Sequence, residues 1–88
     1  MRFFWLQKSM QADPRTLFGK RLAAIRHEKG WSQEKLALES GLARSYLGGV
    51  ERGQRNIALV NICRLAETLG IPPSELMTFP KQSRRTQS

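Results

Sequence analysis

The segment spanning residues 33–52, QEKLALESGLARSYLGGVER, limits the possible folds of this 88-residue chain more than any other. Its apolar residues fall at Leu36, Ala37, Leu42, Leu47 and Val50, a helical spacing that breaks once, around Gly41. That pattern predicts two short helices joined by a single forced turn. A small residue at Ala37 lets a second helix approach closely. Gly41, four residues later, reaches the positive φ that a sharp bend between helices requires.

The rest of the chain reads as helix too. Leu17, Phe18, Leu22 and Ile25 make an apolar stripe within 17–29, which Gly30 stops. Ser32 suits the N-cap of the next helix, with Gln33 and Glu34 in its first turn, and that helix ends near Ser40–Gly41. A third helix is predicted at about 43–52, ending at Gly53, with a loop at Gln54, Arg55 and Asn56. A fourth runs over 58–69, with Leu59, Ile62, Cys63, Ala66 and Leu69 on one face and Gly70 as its stop. Pro72 and Pro73 open a short fifth helix that ends near 77–79. No strand-like alternation and no internal repeat occur. The reading is an all-α, compact five-helix domain at 14–79, with an N-terminal extension at 1–13. A basic tail at 80–88 has nothing to bury and is expected to be disordered.

Composition narrows function mainly by exclusion. One cysteine rules out an internal disulfide framework and points to a reducing setting. One His and one Cys leave no metal cluster, and no Ser–His–acid spacing suggests nucleophilic catalysis. No cofactor and no enzymatic activity are expected. The formal charge of +8 is unevenly placed. Residues 1–21 carry Arg2, Lys8, Arg15, Lys20 and Arg21 against Asp13, and the tail carries Lys81, Arg84 and Arg85 with no acid. Across 44–64, Arg44, Arg52, Arg55 and Arg64 face only Glu51. Excess base at both ends and around the third helix suits a polyanionic partner. The apolar run at residues 3–6 is far shorter than a signal-peptide core or a membrane span, so a cytoplasmic protein is expected.

A small residue, three more, Gly, then apolar positions six and nine beyond that Gly is the spacing of a helix-turn-helix, which suggests duplex DNA. Residues 17–77 resemble the Cro/repressor-type (Xre) domain of phage repressors and small bacterial regulators. The stretches that carry the likeness are LFGKRLAAIRHEKGWSQEKLALESGL, SYLGGVERGQRN and LVNICRLAETLGIPPSELM, in that order. The chain also resembles the small controller proteins of restriction–modification systems. The resemblance implies a lambda-repressor-like fold whose third helix lies in the major groove while the second crosses the backbone above it.

On the third helix, positions 44, 45, 48, 49 and 52 share one side, while 47 and 50 point to the core. The family's base-contacting positions fall on Arg44, Ser45 and Gly49. Arg44 suits guanine O6 and N7, and Ser45 suits several bases. Gly49 has no side chain to read with, so the base code of better-known repressors does not transfer. Gly48 and Gly49 together cost roughly 2 kcal/mol of helix propensity. Either a short helix held by its neighbours tolerates them, or bare backbone lets it sit close to DNA. Both readings shift discrimination toward DNA shape and phosphate positioning. Phosphate contacts are implied at Ser32, Gln33, Arg52, Gln54, Arg55 and Asn56, the first two at a helix N-terminus that already favours anions. Arg26 and Glu51 occupy the family's buried ion pair, which fixes the third helix without touching DNA.

Other candidates have ordinary structural readings. Cys63 reads as a core residue, His27 as a dipole partner at a helix end, Trp31 as a cover on the core, and Tyr46 as a partly buried packing residue. Phe3, Phe4, Trp5 and Leu6 are too apolar for a free arm, and Met10 is an alternative start. Leu76 and Phe79 mark the family's usual dimer contact. The expected activity is that of a dimeric, sequence-specific transcriptional regulator on a short palindromic operator. A rival is an antitoxin-type protein-binding module that holds a protein partner through the N-terminal extension. Another is a nucleic-acid binder without operator preference.

Overall fold

Asp13 and Pro14 start the first helix. The Asp13 carboxylate accepts from the backbone N–H of Arg15 at 2.9 Å, and Pro14, which has no N–H to leave unsatisfied, fills the first helical position. The computed structural model describes residues 12–79. Within them lie five helices: α1 (Pro14–Glu28), α2 (Gln33–Ser40), α3 (Arg44–Glu51), α4 (Leu59–Leu69) and α5 (Pro73–Leu76). The extension, including residues 3–6 and Met10, and the basic tail lie outside the described residues, apart from Ala12 and Asp13.

α1 begins one turn before the apolar stripe that predicted it, because cap chemistry rather than hydrophobic spacing sets its start. α2 has its predicted bounds. Ser32 caps it, its Oγ accepting from the Lys35 N–H at 3.0 Å. Gly41 ends α2 at φ 79° and donates its N–H to the Ala37 carbonyl, which turns the chain into α3.

The core is built from Phe18, Leu22 and Ile25 of α1, Leu36 and Ala37 of α2, and Leu47 and Val50 of α3. Leu65, Ala66 and Leu69 of α4 and Leu76 of α5 complete it. α1 packs on α3 and α5, and α2 packs on α3 and α4. The α1–α3 crossing is very close. A Cβ at Gly19 would lie 2.6 Å from the Glu51 carbonyl oxygen and would also strike that of Val50, so only glycine fits there. Arg21 ties α1 to α5 by donating to the Glu75 carbonyl at 2.8 Å.

Two core assignments, Leu59 and Cys63, and one dimer-contact assignment, Leu76, need correction. α4 buries Leu65, Ala66 and Leu69 and partly buries Ile62, whereas Leu59 is 72% exposed and Cys63 lies at the surface. Neighbouring elements cover only the C-terminal half of α4, so its first turn keeps an apolar side in solvent. Leu76 is completely buried among its own chain's core residues and has no surface to offer a second subunit. Phe79 is half-buried, and with Phe18, Ile62 and Met77 it lines a cavity of about 140 Å³.

Candidate nucleic-acid interface

α3 owes its position to a polar network beneath it. The Arg26 guanidinium clasps the Glu51 carboxylate bidentately, Nε to Oε2 at 2.7 Å and Nη2 to Oε1 at 2.9 Å. The side chains are 8% and 6% exposed, so the pair is almost fully withdrawn from water. Arg26 spends its remaining Nη1 on the Trp31 carbonyl at 2.8 Å, which pins the α1–α2 loop. Gln33 joins from the start of α2, its Nε2 donating to Glu51 Oε1 at 2.6 Å. One carboxylate therefore fixes the ends of α1, α2 and α3 relative to one another. A buried pair of this kind survives only when its hydrogen bonds are well satisfied.

On the outer side of α3, Arg44 and Ser45 are exposed at its first turn. Arg44 Nε donates to Glu34 Oε2 at 3.1 Å across the α2–α3 corner. The Glu34 carboxyl lies below its usual range, first because it hydrogen-bonds its own backbone N–H and second because of Arg44. Arg52, just past α3, donates its Nε to Gln54 Oε1 at 3.2 Å. Arg55 and Asn56 are exposed in the following loop.

The two glycines are not open backbone, contrary to the outward positions expected of them. Gly48 lies beneath Arg44 and Arg52: a Cβ there would meet their Nη1 atoms at 2.9 and 3.1 Å. Gly49 lies beneath Arg55, whose Cγ would be 3.0 Å from such a Cβ. Arg55 then reaches over the Tyr46 ring, 5.6 Å from its centroid, while the Tyr46 hydroxyl accepts from Asn61 Nδ2 at 3.1 Å. Position 49 therefore faces the interface only through Arg55, which lies across it.

The structure thus gathers Arg44, Arg52 and Gln33 around Gly48 and sets Arg55 over Gly49, with Gln33 bonded to the buried Arg26–Glu51 pair. Ser45 is exposed on the first turn of α3, and Ser32 is the exposed N-cap of α2. Sequence reasoning passed over Glu34 as a partner of Arg44, since ten residues and a turn separate them. It also passed over Gly19, whose only signal was a glycine inside a helical stripe.

A family model described as Helix-turn-helix (HTH_3) matches residues 22–76. The chain belongs to this helix-turn-helix family. It is 46% identical over 71 residues to the control protein C.BamHI of Bacillus amyloliquefaciens, covering 80% of this chain and 88% of that protein. It is 61% identical to the restriction–modification controller protein C.AhdI of Aeromonas hydrophila, whose crystal structure matches with a TM-score of 0.69 over 70% of this chain and 94% of that one. SinR, a master regulator of biofilm formation solved in complex with DNA, is 31% identical. It matches with a TM-score of 0.66 over 69% of this chain and 98% of that one.

Proposed function

We propose that this chain is a controller-type transcriptional regulator that docks α3 in the major groove of a short palindromic operator as a homodimer. The observation that carries this reading is the outer side of α3, where three arginines and Ser45 are gathered over a helix locked from below. Arg44 and Ser45 are assigned to base edges, and position 49 contributes there through Arg55, which covers Gly49. Ser32, Gln33, Arg52, Gln54, Arg55 and Asn56 are assigned to phosphates. The likeness to controller proteins and to a regulator solved on DNA supports binding and regulation rather than catalysis. It also suits an action in the cytoplasm.

Leu76 itself is enclosed by its own chain, so the second subunit is assigned to exposed apolar surface instead. Leu59 and Val60, 72% and 68% exposed, lie with Cys63 on one side of α4, and this apolar strip is the surface assigned to dimer contact.

Selection of binding sites from a random DNA pool tests the reading directly. A palindromic consensus is expected, with affinity falling as salt rises at a slope near −0.9 for each phosphate neutralised. A pool without consensus, or binding indifferent to salt, overturns it.

A further inference from the structure

Gly48 is a costly residue in the middle of an eight-residue helix, and the space it leaves is occupied. The Nη1 atoms of Arg44 and Arg52 both lie over it, and Gln33 Oε1 stands 3.8 Å from where a Cβ would be. Each arginine is held by its Nε, Arg44 on Glu34 and Arg52 on Gln54. Among the described residues neither has a hydrogen-bond partner at its two Nη groups. A guanidinium gripped at Nε presents its Nη pair end-on, the edge that matches two adjacent acceptors such as guanine O6 and N7.

We propose that Gly48 is a positioning residue for base reading: with Glu34 it holds Arg44 end-on toward a guanine before DNA arrives. This rests on the proposed docking of α3 in the major groove. A side chain at position 48 would displace both guanidinium groups from that side of α3. Loss of Glu34 would leave Arg44 free to rotate, and the ordering cost would then fall on the binding step.

The test uses the full chain and its selected consensus site, with each base pair varied singly. Arg44→Ala identifies the base pair that Arg44 reads, as the one whose discrimination, between about 5-fold and about 100-fold, disappears. Gly48→Ala is expected to lower discrimination at that same base pair at least threefold, with the salt slope becoming shallower by no more than about 0.9, the one phosphate assigned to Arg52. It should also raise the melting temperature by about 4–8 °C, because alanine favours helix and only flexible side-chain ends stand in its way. Higher stability with lower selectivity separates positioning from misfolding. Glu34→Ala should reproduce the loss, and Glu34→Gln, which keeps an acceptor, should restore most of it. If Arg44→Ala erases discrimination but Gly48→Ala and Glu34→Ala preserve it, the positioning role fails and base reading by Arg44 stands. If Arg44→Ala changes no base preference, the underlying docking assignment fails as well.

Discussion

Glu51 shows how much one carboxylate can carry at the scale of a residue. It accepts two hydrogen bonds from Arg26 and one from Gln33, and it does so 94% shielded from water. Removing it strands the Arg26 charge in a site with almost no solvent and frees Gln33 at the start of α2. Glu51→Ala is therefore expected to cost about 3–5 kcal/mol, read by urea unfolding at neutral pH. An unchanged midpoint would remove the pair from the account of α3 placement. Exposed ion pairs of this chain are different in kind. Arg15–Asp13 at 2.7 Å and Lys35–Glu39 at 3.6 Å lie in solvent, where such pairs contribute little beyond local capping. The likeness to the family pointed to Arg26 and Glu51 as partners; nothing local in the sequence brought Gln33 into their network.

Among the elements, the crossing of α1 over α3 is the tightest joint, and Gly19 makes it possible. A methyl group there meets the carbonyls of Val50 and Glu51, which belong to a helix and have nowhere to move. Gly19→Ala is expected to destabilise by about 1–3 kcal/mol in thermal or chemical unfolding, despite its gain in helix propensity. Gly48→Ala has the opposite sign for a reason visible in the same terms: flexible guanidinium ends, not backbone, oppose it. α4 marks where periodicity stops being informative. Its apolar residues at 59, 62, 63, 66 and 69 make a convincing face, yet only the half near α2 and α5 is covered. Helical spacing reveals which residues share a side, and a neighbour's length decides how far along that side burial extends. Leu65, buried completely, belongs to the stripe that the neighbours do cover.

For the whole molecule, the uncovered strip on α4 makes oligomeric state a question of surface rather than core. Leu59→Glu together with Val60→Lys alters only exposed positions, so the fold should keep its melting temperature at low protein concentration within a few degrees. Sedimentation equilibrium should then report a monomer, against the dimer expected of the parent chain. Binding to a full palindrome should weaken far more than binding to a half-site. A double variant that still sediments as a dimer would move the interface elsewhere. Leu76 offers no alternative, since it is fully enclosed by its own chain.

The residues by themselves determined the helical class, the turn at Gly41, the cap at Ser32 and the packing positions Ala37, Leu47 and Val50. Each of these is a local matter of φ preference, capping chemistry or a period of about 3.6 residues. They also pointed to the segment at 33–52 as the candidate DNA-binding surface, through its arginines and its spacing. What lies across the outer side of α3 was a tertiary decision. Glu34 reaches Arg44 over a corner, Arg55 returns from the following loop to cover Gly49, and Arg52 joins Arg44 over Gly48. Such contacts depend on where separate elements come to rest, and a one-dimensional pattern holds no record of that.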